Sequence, residues 1–188
     1  MFRKVVLCLA ILSLGGCFYK SSKDLRQAGT EQEQITDFFP AGRHVFLSED
    51  ERQLLMLEVG PEESVADLQD WGKGIRSVDM LGVMRSEGLP EDVHVAVGIN
   101  ITGNLYYYFP FRSDESHIEW LSFEGRLHLV SSLSELEANI HEIDAAGGSV
   151  SFKTVPVEQH EELIARFAAE NQRTTEELLN GQPAEAAQ

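Results

Sequence analysis

Cysteine and basic residues are both scarce in this chain. Of 188 residues only Cys8 and Cys17 are cysteines, which excludes a disulfide framework and a cysteine-rich metal site. Lysine and arginine number 15 against 31 aspartates and glutamates, a formal net charge of −16. So acidic a chain offers no basic stripe for phosphates, and a nucleic-acid partner is not expected. No apolar run approaches the ~20 residues of a membrane-crossing helix. The glycine-rich phosphate loops, the G-x-S-x-G nucleophile turn, H-E-x-x-H and EF-hand spacing are also missing. "HIE" at 117–119 opens a zinc-deaminase pattern, yet the cysteines that would complete it do not exist. Among six histidines, His94 and His128 fall on expected strands with no third ligand in view, so neither metal nor cofactor is expected.

What is present begins at the N-terminus. Arg3 and Lys4 form a basic flank, Val5–Leu14 is an apolar run, and Gly15, Gly16 and Cys17 follow. Basic flank, short apolar run and small residues together describe a secretory signal peptide over 1–16. "LGGC" at Leu14–Cys17 resembles the lipobox of bacterial lipoproteins. The resemblance implies diacylglyceryl transfer to the Cys17 thiol, cleavage after Gly16 and acylation of the new amino group. It implies attachment to the lipid bilayer through Cys17. Because Phe18 rather than an Asp follows, it also implies the periplasmic side of an outer membrane where the host has one. Cys8 leaves with the leader, so the mature domain holds no free thiol. Loss of Arg3 and Lys4 brings it near −18, with 13 basic residues left against 31 acidic.

Polar, weakly periodic sequence over 17–34 reads as a flexible tether, 35–180 as one globular domain, and 181–188 as a disordered tail. His44–Leu47 is a candidate first strand. Ser48 with Glu51 has capping-box spacing and predicts a helix over 49–58. Val65, Leu68 and Trp71 share a helical face behind Gly60–Pro61, and Ile75, Val78, Leu81 and Met84 repeat every three residues, predicting two more helices. Then the period changes. Val93, Val95, Val97, Ile99 and Ile101 alternate strictly, Gly103–Asn104 signals a turn, and Leu105–Phe111 returns. Ile118–Phe123 and Leu127–Val130 suggest a second hairpin. Ser132 with Glu135 caps a helix closed by Gly147–Gly148; a strand over 149–155 and a helix bearing Leu163, Ile164 and Phe167 follow. The expected class is α+β: a mainly antiparallel sheet of two hairpins plus an added strand, with helices packed on one face.

In element order the last ninety residues, through "GNLYYYF" and "LSELEANI…GGSVSFKTV…HEELIARFA", resemble the periplasmic domains of the energy-coupling biopolymer-transport proteins. The resemblance implies strand–strand–helix–strand–helix. It departs from that family in lacking a transmembrane helix and in carrying "SDESHIEWLSFEGR" as extra sequence.

Tyr106, Tyr107 and Tyr108 are consecutive, so a strand sends tyrosines to both faces. Phe109 and Phe111 share the Tyr107 side, which is the expected core face. Tyr106 and Tyr108, beside Pro110, are the expected outward binding patch. Anchor, acidity and this patch lead to the expectation of a non-enzymatic envelope lipoprotein. It would bind an envelope protein, possibly a basic one, as an inhibitor or immunity protein does. The alternatives are an envelope hydrolase with a dispersed His–carboxylate–Ser site and a structural lipoprotein.

Overall fold

A computed structural model of the protein describes residues 19–26, 30–70, 74–100, 105–114, 116–122 and 128–180. Gly16, Cys17, the Gly103–Asn104 and 124–126 turns and the 181–188 tail lie outside the described residues. In chain order the elements are β1 (Tyr19–Ser21), β2 (Thr30–Glu33), a 3-10 turn (Ile35–Asp37), β3 (Gly42–Ser48), β4 (Gln53–Val59) and β5 (Ser64–Asp70). Next come β6 (Gly74–Ser86), β7 (His94–Asn100), β8 (Leu105–Ser113), β9 (His117–Leu121) and β10 (His128–Leu129). Helix α1 (Leu133–Ala145), β11 (Ser149–Thr154), a second 3-10 turn (Val157–Gln159) and α2 (His160–Asn180) end the fold.

Eight strands close into a ring, β3-β4-β5-β6-β7-β8-β9-β11 and back to β3, with every neighbouring pair antiparallel. The expected α+β sheet is therefore corrected to a closed eight-stranded β-barrel with two helices on its outer wall. Each barrel strand turns alternate side chains inward: Phe46, Leu57, Leu68, Val78, Ala96, Phe111, Ile118 and Phe152 belong to one core, one from each strand. On the outer wall, Leu136, Ile140 and Ile143 of α1 pack with Val95, Val97 and Tyr108. Phe167 of α2, with Leu163 and Ile164, covers Val45 and Leu54. Burying a side chain of this kind contributes about 1.5–3 kcal/mol.

Three expected helices are strands, for a physical reason that the residues display. In β4, Leu55 and Leu57 face the barrel core while Leu54 and Met56 lie under α2, so both faces are apolar and no alternation shows. The Ser48–Glu51 capping signal belongs to the β3–β4 turn. There the Gln53 N–H donates to Ser48 Oγ at 2.8 Å, and Glu51 takes a left-handed φ of 57°. In β6 a bulge between Met80 and Gly82 shifts the register. Val78, Met80 and Val83 face the core while Met84 packs on the outer wall, so apolar residues fall on both faces and the three-residue spacing marks no single stripe. Gly82, at φ 133°, takes a backbone conformation that side chains rarely adopt.

Later elements follow the sequence more closely. β7 and β8 pair as the expected first hairpin, but two residues from the register of a two-residue Gly103–Asn104 turn: Asn100 lies opposite Leu105 and Val97 opposite Tyr108. The Ser132 side chain accepts from the Glu135 N–H at the start of α1, and Gly147, φ 68°, closes it. The second hairpin does not form as expected. Among the described residues β9 pairs β8 and β11, while β10 pairs β1 in parallel.

The stretch expected to be a tether lies along the barrel as a strap. β1 pairs β8, with Tyr19 opposite Tyr108, and β2 pairs the end of β6. Between them the Leu25 N–H donates to the Tyr108 hydroxyl at 2.7 Å, and Arg26 Nη1 donates to the Leu81 carbonyl at 3.2 Å. Tyr19 and Leu25 are buried, so the strap is held by apolar contact as well as by hydrogen bonds.

Candidate functional site: the barrel interior

One end of the barrel is plugged. The 3-10 turn after β2 delivers Ile35, Phe38 and Phe39 to the inner core. Phe38 meets Phe111 edge-on at 5.6 Å and Phe39 meets Phe46 at 5.9 Å. Two histidines flank the plug. His94 stands edge-on to Phe38 at 4.6 Å with Nδ1 3.1 Å from the Glu33 carboxylate. His44 Nε2 is 2.7 Å from the Pro40 carbonyl. Just outside, Arg112 donates to Asp92 at 2.6 Å and lies 2.9 Å from Asp144, tying the C-terminal end of α1 to this end of the barrel. Those carboxylates hold the guanidinium pKa above its usual range.

Beyond the plug, several inward side chains among the described residues keep partial exposure. Leu55, Ala66, Leu105, Phe109 and Val150 face the core yet stay only partly buried. Trp120, paired across the sheet with Phe111 and Val150, lies 5.3 Å from Phe109 and 6.0 Å from Phe152. Its indole nitrogen is fully buried and has no acceptor. A buried donor left unpaired costs about 1–3 kcal/mol, so this one calls for a partner that the described residues do not supply. At the end of β5, Asp70 is buried and accepts from Gln53 Nε2 at 2.8 Å. An eight-stranded barrel is just wide enough to be filled by side chains or to hold one small ligand. The plugged end takes the first course, and the partly buried inner wall with the unpaired Trp120 donor has the polarity that the second requires.

The expected binding patch is corrected here. Tyr106 and Tyr108 do face away from the barrel core, but Tyr108 is wholly buried, Pro110 is buried and Tyr106 is half-buried. β1 runs alongside them, and Tyr19 and the α1 side chains share their cluster. The Tyr108 hydroxyl accepts from the Leu25 N–H and donates to the Lys23 carbonyl at 3.1 Å. Burial, its largest cause, pushes the Tyr108 pKa up to about 12. Tyr108 holds the strap, and Tyr108 and Pro110 are closed to an outside partner.

His94 and His128 are not neighbours: β8 and β1 stand between their strands. Among the described residues no three His, Cys, Asp or Glu side chains converge as metal ligands. Asp114, Ser116 and His117 do come together, on the exposed β8–β9 connection. Ser116 Oγ is 2.8 Å from Asp114 Oδ1 and 2.8 Å from His117 Nδ1, and that same Nδ1 is 3.1 Å from Asp114. A catalytic triad needs the carboxylate and the nucleophile on opposite ring nitrogens. Here both use one. Asp114 also accepts from the Ser116 and His117 N–H groups, and these hydrogen bonds lower its pKa to about 2. The cluster ties a turn. A surface groove of about 770 Å³ beside β2 is lined mainly by charged side chains, among them Glu31, Arg85, Glu87 and Glu91.

The inward role of Trp120 and of the β4 and β5 residues is not evident in the sequence, because β4 and β5 carry helix-like signals and β9 reads as half of a separate hairpin; Phe109 and Val150 lie on strands that the sequence does show. Comparison with known proteins adds no relative: no family model, no curated protein and no solved structure matches this chain.

Proposed function

We propose that this is a non-enzymatic binding module of the bacterial cell envelope, anchored through a lipid on Cys17, on the periplasmic side of the outer membrane where the host has one. The observation that carries the anchor is Leu14-Gly15-Gly16-Cys17 directly behind the apolar run. The strap supports it and changes its geometry. Tyr19, two residues after Cys17, is already built into the sheet, so little chain separates the proposed anchor from the barrel. Leu129, 73% exposed, stands on β10 opposite Lys20 of β1, an apolar side chain at this edge. The module is held close to the bilayer, and its binding element is the barrel.

Replacing Cys17→Ser tests the anchor. Lipid labelling is expected to vanish and the protein to leave the membrane fraction; persistent labelling would overturn the reading. A protein partner is the second reading, favoured by the excess of 31 acidic over 15 basic residues, which suits a basic surface. Salt-sensitive capture of one basic envelope protein by the full chain would support it.

A further inference from the structure

We propose that the half of the barrel around Trp120 binds one neutral, largely apolar small molecule carrying a hydrogen-bond acceptor oxygen, such as a ketone or ester. This rests on the binding-module reading and names the site and ligand class within it. Two observations converge. Leu55, Ala66, Leu105, Phe109 and Val150 belong to the inner wall and are only partly buried, so this wall keeps access to solvent. Concave, apolar sites with few polar groups are the usual small-molecule sites. Trp120 Nε1 is a buried donor with no acceptor, inside the same core. A ligand carbonyl or ether oxygen is the partner it lacks, reached after small side-chain shifts. Indole only donates, so the ligand must accept.

Charge decides the rest of the class. The interior near Trp120 is apolar and aromatic, where an unpaired ion is costly to bury. Asp70 is buried at the end of β5, and the chain carries −16 overall, so a carboxylate ligand meets repulsion both locally and at long range. A neutral acceptor satisfies Trp120 without either penalty.

Photo-crosslinking of the full chain in its membrane tests this directly. Three ten-carbon probes bear the same diazirine and end in a methyl ketone, a carboxylate or a plain methyl. The ketone is expected to label inward-facing residues of β4, β8 and β11 saturably, about 5–10-fold more than the alkane, as one net hydrogen bond of ~1 kcal/mol or slightly more predicts. Trp120→Phe should remove that advantage and leave alkane labelling in place. Ala66→Phe, which adds bulk to this wall, should abolish labelling by all probes while far-UV circular dichroism stays unchanged. The inference is overturned by labelling confined to outward positions, by no saturable labelling, by a ketone advantage that survives Trp120→Phe, or by the carboxylate labelling best. None of these results bears on the anchor, which stands or falls on the Cys17→Ser fractionation.

Discussion

The two ends of the barrel are built from the same strands and are filled differently. At the plugged end, aromatic rings from the 3-10 turn meet Phe46 and Phe111, and an Arg112 network closes the rim. Around Trp120, inward leucines and a phenylalanine keep partial exposure, and a buried donor lacks an acceptor. One half therefore resembles a protein core, and the other resembles a site. The lesson is that closure of a sheet does not by itself decide whether its interior is core. The inserted segment after β2 decides it at one end, and nothing equivalent among the described residues decides it at the other.

Leu57 and Leu55 give the sharpest contrast, since they share a strand, a residue type and the inward face. Leu57→Ala, on the plugged side, is expected to cost about 2–5 kcal/mol. Leu55→Ala should cost about half as much, because its side chain is only partly buried. Urea unfolding of both variants checks this. Equal losses would mean that the two halves are equally packed and would break the comparison.

Arg112→Ala should come next, at about 1.5–3 kcal/mol, the usual range for a hydrogen bond to a charged group. It leaves Asp92, Glu119 and Asp144 facing one another without their cation. Loss of hydrogen-exchange protection confined to the α1 C-terminus and the plug would show that the effect belongs to that end.

Tyr108→Phe removes a strap contact and orphans the Leu25 N–H, for about 1–3 kcal/mol. Proteolysis should then cut within residues 19–34 while the barrel stays intact. The same hydroxyl predicts a pH limit. Its pKa rises from 10.0 in the unfolded chain to about 12 in the fold, because burial disfavours the phenolate. The stability linked to it is complete below pH 10 and is lost as pH rises through about 12. Alkaline melts of the wild type should show this loss, and Tyr108→Phe should flatten it. The smallest effect belongs to Glu33→Gln. The His94–Glu33 pair is partly exposed, and such pairs contribute about 0–1 kcal/mol. A loss above that range would make the pair part of the plug itself.

The β7–β8 hairpin, α1 with its Ser132 cap, β11 and α2 were legible in the sequence, because each shows one clean period and standard punctuation. The inward direction of Tyr107, Phe109 and Phe111 was legible too. The first three barrel hairpins were not. β4 is apolar on both faces because α2 covers its outside, and β6 changes parity at its bulge, so the pattern that marks a half-buried strand is absent. The strap was hidden for a different reason. Its residues are polar and irregular, and only the match of Tyr19 to the β8 register, 89 residues later, places it. Outward Tyr108 was correctly oriented but assigned to solvent. No local signal could announce that the chain's own N-terminal strap would cover it.

The central claim is that Trp120 offers an unused donor to a neutral ligand inside the barrel. Indole-¹⁵N NMR of the full chain carrying Trp71→Phe leaves Trp120 as the only tryptophan. Titration with the ten-carbon methyl ketone should move its N–H resonance downfield in a saturable, one-to-one manner as the carbonyl accepts the hydrogen bond, while the matching alkane produces no downfield move. An N–H resonance that stays fixed through the ketone titration, or that already lies at a hydrogen-bonded shift without ligand, would contradict the account.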